Sequence, residues 1–353
     1  MADENKKMKM RAEWRVSGCA TETKEKEKEK IFVQVMQIKA EKFYVIDTSN
    51  GCVKELPDIL NHCMNSITSI GSVIYLVGGL PSYMCGGGAK DIVYATYMFY
   101  LDTNSESDPD DSDLGGWKEI PPYIPPADAY DPGARLPNIP VGLPTAVSLA
   151  GKIYIFPSHK KSPSALVFNS NTNQNQWDTL LPPSEVGFFD ITSAASAFAD
   201  PDNNRLVVSF KTISSIYAYY PSDNTWELIV DSFGFSNFVF VKGVFYVYLR
   251  KTRDLVMAFD SVTKQWLEIE FTSEPPEKMW RYKFKDMLLL GNGLMCLVYS
   301  ICKLGDSPGI LVSVAKFRFK RCTDRPGVLI ITPLPMETYK LNTISSILDY
   351  YPF

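Results

Sequence analysis

Four tryptophans, Trp117, Trp177, Trp226 and Trp266, stand 60, 49 and 40 residues apart, and each closes the same run of local signals. The best-formed copy spans Ser66–Pro121. It reads SITSIGSVIYLVGGL, then YMFYLD, then a strand opening at Trp117. The order is a short strand, a glycine turn, an apolar strand ending near Gly-Gly, a strand ending in Asp, and a strand starting with Trp. Further copies are TAVSLAGKIYIFPS with ALVFNSNTNQNQW, SAFADPDNNRLVVSF with SIYAYYPSDNTW, and NFVFVKGVFYVYLR with LVMAFDSVTKQW. Internal repetition at this period constrains a chain more than any single motif, because each unit can bury its apolar faces only against its neighbours.

Two incomplete copies flank these four. IFVQVMQIK, KFYVIDTSNG and CVKELPD supply the last three strands of a unit that lacks its first. DMLLLGNGLMCLVY, GILVSVAKFRF and GVLIITPLP supply four strands without the Trp. The closing segment NTISSILDYYPF then resembles the first strand of the Ser66 unit. The expectation is that this segment, Asn342–Phe353, completes the first unit, so that the ring closes and two exposed sheet edges disappear.

The pattern resembles the kelch repeat of β-propellers, in which a unit of about 50 residues forms a four-stranded blade. The resemblance covers residues 31–353 and implies an all-β, six-bladed kelch-type β-propeller closed by a C-terminal strand. Residues 1–30 are expected to be a charged, disordered tail, since TETKEKEKEK carries no apolar stripe. The Gly-Gly of Gly78-Gly79 is replaced elsewhere by Phe156-Pro157, Phe210-Lys211, Leu249-Arg250 and Tyr299-Ser300. The chain is similar to the kelch half of plant F-box/kelch proteins, without their leucine-rich F-box segment. The four Trp are expected to pack between blades.

Composition narrows the function. The net charge of −4 and pI near 5.4 point away from nucleic acid. The N-terminus lacks the apolar run of a signal peptide, and no apolar stretch approaches a membrane span. Seven Cys show neither CxxC pairs nor a disulfide framework. The expectation is a monomer of the cytoplasm or nucleus, with no membrane and no cofactor.

Catalytic signatures are sparse. The two histidines are His62 and His159, and no Tyr-His dipeptide occurs, as the resemblance to kelch-type copper oxidases would require. The Glu-x-x-x-Asp-x-x-x-His iron pattern of nitrile-specifier proteins is absent too. There is no GxSxG, P-loop or GxGxxG. Gly86-Gly87-Gly88 reads as a turn, and Asp113 stands where an EF-hand loop starting at Asp108 needs Gly.

Strands that alternate in direction put the second-to-third and fourth-to-first connections at one end of the ring. Each second-to-third connection carries Lys or Arg, among them Lys160, Lys161, Lys211 and Arg250. The third-to-fourth connections are neutral or acidic. The fourth-to-first connections are long and aromatic. Candidate ligand or partner contacts are Tyr83, Tyr130, Arg135, His159, Lys160, Lys161, Phe189, Asp190, Lys211, Phe235, Arg250, Trp280 and Arg281. Such a face suits a protein segment or a small anionic or aromatic ligand. The rival reading is a cofactor-independent enzyme of plant specialised metabolism, of isomerase or cyclase type, at the channel mouth.

Overall fold

The computed structural model describes residues 30–36, 40–60, 62–63, 66–77, 80–81, 98–102, 116–121, 145–156, 165–170, 176–181, 183, 194–210, 215–231, 233, 238–248, 256–273, 286–291, 294–303, 309–341 and 346–352. Among these the chain is built of strands and tight turns, with one 3-10 turn at Pro201–Asn203.

The first meander is β1 (Lys30–Met36), β2 (Ala40–Asp47) and β3 (Cys52–Leu60). A short strand β4 (His62–Cys63) precedes β5 (Ser66–Ile70) and β6 (Val73–Val77). It pairs with β7 (Leu80–Pro81). With β8 (Met98–Asp102) and β9 (Lys118–Ile120), β5 and β6 make the second sheet, in the order β5-β6-β8-β9. The third sheet is β10 (Thr145–Leu149), β11 (Lys152–Phe156), β12 (Ala165–Asn169) and β13 (Gln176–Leu180). The fourth is β14 (Ala194–Asp200), β15 (Arg205–Phe210), β16 (Ile216–Tyr220) and β17 (Thr225–Val230).

A fifth group, β18 (Phe238–Val241), β19 (Val244–Tyr248), β20 (Val256–Asp260) and β21 (Gln265–Phe271), repeats the meander. It is continuous with β22 (Asp286–Gly291), β23 (Leu294–Lys303), β24 (Gly309–Arg321), β25 (Val328–Pro333) and β26 (Glu337–Leu341). The join is a parallel ladder in which Glu268 to Phe271 of β21 face Val328 to Ile331 of β25. The last strand, β27 (Ser346–Pro352), pairs antiparallel with β1, from Ile31 opposite Pro352 to Met36 opposite Ser346. Head and tail of the chain therefore share the sheet β27-β1-β2-β3, as the sequence leads one to expect.

Why the second strand of each group is apolar on both faces follows from how the sheets pack. Successive side chains of a strand point to opposite faces. Ile31, Val33 and Val35 of β1 meet the last group, while Phe32 meets the second sheet. On β6, Ile74 and Leu76 face back to the first sheet, and Tyr75 and Val77 face forward to the third. The division repeats on β11, where Ile153 and Ile155 face back and Tyr154 and Phe156 face forward. It continues on β19, with Phe245 and Val247 against Val244 and Tyr246, and on β23, with Met295 and Leu297 against Cys296 and Val298. Each apolar cluster thus lies between consecutive strand groups, and the last joins β22–β26 to β1–β2. The outcome is an all-β, propeller-like ring with its core distributed between sheets. Outer strands such as β13 and β17 are largely exposed.

Trp117, Trp177 and Trp226 pack as expected against the clusters between sheets, whereas Trp266 is 44% exposed and departs from that expectation. Trp117, at 1% exposure, lies against Phe43 at 5.6 Å between ring centroids, so it bridges the first and second sheets. Trp226 sits 4.9 Å from Tyr219, Trp177 sits 4.9 Å from Phe168, and Trp266 stacks on Phe233. The bend assigned to Gly78-Gly79 lies outside the described residues.

Candidate functional site

Antiparallel register fixes which connections share an end. Phe156, the end of β11, lies opposite Thr145, the start of β10, and Ala165 lies opposite Leu180. Phe210 lies opposite Ala194, and Ile216 lies opposite Val230. The second-to-third and fourth-to-first connections therefore root at a common end. Tyr83, Tyr130, Arg135, His159, Lys160, Lys161, Phe189, Asp190, Lys211, Phe235, Arg250, Trp280 and Arg281 all lie outside the described residues. What is described is the end at which their connections root. Its first strands are stitched by hydroxyls: Ala146 N donates to Ser66 Oγ at 3.0 Å, and Ser148 Oγ donates to the Ser69 carbonyl at 2.6 Å. Ser215 Oγ donates to Asp231 Oδ1 at 2.8 Å, tying the start of β16 to the end of β17.

The opposite end is made of short turns whose polar groups satisfy one another. The Asp47 carboxylate takes hydrogen bonds from the Ser49 backbone and side chain and from Asn50. Burial opposes its charge, yet those bonds and the nearby Lys30 outweigh it and hold the carboxyl below its ordinary 3.8. Ser72 Oγ donates to Asp102 Oδ1 at 2.8 Å. Ser170 and Ser261 donate to the carbonyls of Gly151 and Gly243, both at 2.7 Å. Asp260, 1% exposed, accepts from Val262 N with Oδ1 and from Arg321 with Oδ2 at 2.6 Å. Burial again opposes the charge, and Arg321 with the turn amides again lowers the pKa. The strand-ending Asp of the sequence repeat is thus a turn organiser, the job Asp does well by bonding backbone N–H groups two and three residues on.

A buried polar cluster marks the closing interface. Lys316 Nζ, on β24, donates to the Thr48 carbonyl at 3.0 Å and to Glu337 Oε1 at 3.1 Å. Tyr339 donates to the other oxygen of Glu337. Burial, then Glu337, push the Tyr339 phenol up. This cluster fastens β24 and β26 to the β2–β3 turn. It is a structural clamp between strands.

The end expected to be acidic also carries cations. Arg318, Lys320 and Arg321 on β24 and Arg325 in the β24–β25 turn all belong to it. They stand on a strand and its turn, which a comparison of third-to-fourth connections in the other units does not reach. Their alternation with Phe317 and Phe319 was the available signal. Among the described residues, no group of three or more His, Cys, Asp or Glu is placed to hold a metal, and no helix is long and apolar enough to cross a membrane.

No protein-family model and no curated protein matches this sequence. Solved structures do resemble it. A protein from Lactobacillus plantarum is 12% identical at a TM-score of 0.45, over 92% of this chain and 99% of that one. A functionally unknown protein from Desulfotomaculum acetoxidans is 11% identical at 0.43, over 89% and 81%. A prolyl endopeptidase is 12% identical at 0.43, over 88% of this chain and 42% of the longer one. Likeness at this level carries no information about activity or ligand.

Proposed function

We propose that the chain is a six-bladed kelch-type propeller that serves as a binding or adaptor protein. In this reading the end formed by the second-to-third and fourth-to-first connections holds a protein segment or an anionic ligand. The observation that supports it most is the contrast between the two ends. At the short-turn end Asp47, Asp102 and Asp260, with Ser170 and Ser261, already have partners within their own turns or the adjacent strand. Those groups, being paired internally, gain little by pairing with a ligand. Recognition then falls to the long connections at the other end, where Lys160, Lys161, Lys211 and Arg250 are concentrated in the sequence. The six apolar interfaces between strand groups support the blade count. Placement of a monomer in the cytoplasm or nucleus rests on the sequence alone.

The test reverses Lys160, Lys161 and Arg250 to Glu together and compares what the immobilised protein captures from native tissue extract, read for proteins and small molecules. The reading expects the captured species to disappear while the melting temperature stays put. Unaltered capture by the reversed variant contradicts it.

A further inference from the structure

Among the described residues the large apolar side chains left exposed are Leu181, Leu228, Val262 and Trp266. All stand on the outer strands of the third, fourth and fifth sheets or in the turns beside them. Hydrogen bonds link their positions. Trp226 Nε1 donates to the Leu181 carbonyl. Lys264, two residues from both Val262 and Trp266, donates to the carbonyl of Ile229, the neighbour of Leu228. Exposed apolar surface gathered in one place marks a contact.

The strand at its centre is β17, the edge of its sheet, whose ladder partner is β16. Sheet edges are commonly kept from further pairing by Lys or Pro. The outer strands β3 and β9 carry Lys54 and Lys118, both exposed, whereas β17, TWELIV, carries neither Lys nor Pro. Side chains alternate along it. Trp226 packs on the cluster between the third and fourth sheets, so Leu228 turns the same way, toward Leu181. Glu227 turns the other way and accepts from Tyr220. The exposed charges beside this edge are acidic, Asp178, Asp223 and Glu227, and Lys264 is drawn onto Ile229. The open stretch is therefore residues 225–228.

The molecule shows once what such an edge accepts. The outer edge of β21 is covered by Val328 to Ile331 of β25. That stretch is apolar, Leu329 and Ile331 are buried, and Arg325 just before it pairs with Glu270. We propose that residues 225–228 of β17 take an extended segment of a partner protein as a further strand, with apolar residues alternating with Lys or Arg. The apolar side chains lie on Leu228 and Leu181, and the basic ones face Glu227. A second copy of this chain in that place would set acidic edge against acidic edge. The surface uses none of Lys160, Lys161, Lys211 and Arg250, so this reading and the one for the long connections stand or fall separately.

The probe is a labelled peptide of about eight residues that alternates Val and Lys. Its binding to the full chain is read by anisotropy and by hydrogen exchange. The peptide should slow exchange in β17 and leave β9 unchanged. An isomer with the same residues in two blocks should bind about fivefold more weakly, and a Val–Glu peptide should not bind. Leu228→Lys, at unchanged melting temperature, should weaken binding about tenfold. No binding, equal binding of the block isomer or the Val–Glu peptide, protection outside β17, or indifference to Leu228→Lys overturns the proposal. So does slow exchange, in the free chain, of the β17 amides turned away from β16, or protection that grows with the concentration of the chain itself, since the occupant would then be this protein.

Discussion

The indole nitrogen of Trp117 donates to the carbonyl oxygen of Pro57, 60 residues upstream, at 2.9 Å. Trp226 repeats the bond with the Leu181 carbonyl at 2.9 Å. In both cases a Trp at or just before the outer strand of one sheet reaches the outer strand of the sheet before it, or the residue just after that strand. The repeated Trp is therefore a cross-sheet tie that also fills space. Trp117→Phe keeps a ring but removes the donor and some volume, and leaves the Pro57 carbonyl without that partner. It should cost about 2–3 kcal/mol in urea unfolding. Trp226→Phe, at a more exposed position, should cost about half as much. Equal, negligible losses would show that the indole nitrogen is incidental.

Asp260 and Arg321 bind the fifth strand group to the last, beside the parallel β21–β25 ladder. Arg321 is 44% exposed, so solvent screens the pair, and Asp260→Asn should cost about 1–2 kcal/mol at neutral pH. Its pH dependence has a definite sign. The folded-state pKa lies below the ordinary 3.8. The contribution is therefore present above the unfolded value and lost as pH falls through the folded one. Wild type and Asp260→Asn should differ near pH 6 and converge in strong acid. A difference that persists at low pH would mean that the charge is not what matters.

At the alkaline side the sign reverses. Burial, with Tyr219 nearby, pushes the Tyr154 phenol from 10.0 up to about 12. Its stabilising contribution is full below pH 10 and disappears as pH rises toward 12. Tyr154→Phe, which cannot ionise, should unfold at higher pH than wild type when titrated with base. An unchanged alkaline midpoint would contradict this.

In two of the hairpin turns a left-handed non-glycine residue precedes a glycine. Ala150 has φ 50° and Lys242 φ 46°, each followed by glycine. Two-residue turns of this kind favour Asn at the first position. Ala150→Asn and Lys242→Asn should each raise stability by about 0.5–1 kcal/mol, measured by thermal melting. Loss of stability in both would show that the turns are held by something other than local backbone preference.

Much of this architecture was legible because alternation and turn chemistry are local. The spacing of Trp117, Trp177, Trp226 and Trp266, the Asp and Asn turns, and the likeness of the closing segment to the Ser66 strand all report on residues within a single unit. The parallel join of β21 to β25 was not legible, because Glu268–Phe271 leaves its own meander to pair with a strand some 60 residues later. Nothing local marks such a departure. β26 was missed although ETYKL alternates, with Tyr339 and Leu341 buried. The kink at Leu334, whose amide bonds the Lys316 carbonyl, splits one return strand into two short ones. As for the site, the strand register fixes the end at which the connections root, while the candidate residues themselves lie in those connections, outside the described residues.

The pairing of β27 with β1 carries the whole account, since it turns a row of sheets into a ring. The direct measurement is equilibrium unfolding of the chain lacking residues 342–353, followed by tryptophan fluorescence and near-ultraviolet circular dichroism. The account predicts loss of the cooperative transition, with insoluble or molten protein. A truncated chain that unfolds cooperatively, with the wild-type midpoint, would contradict it.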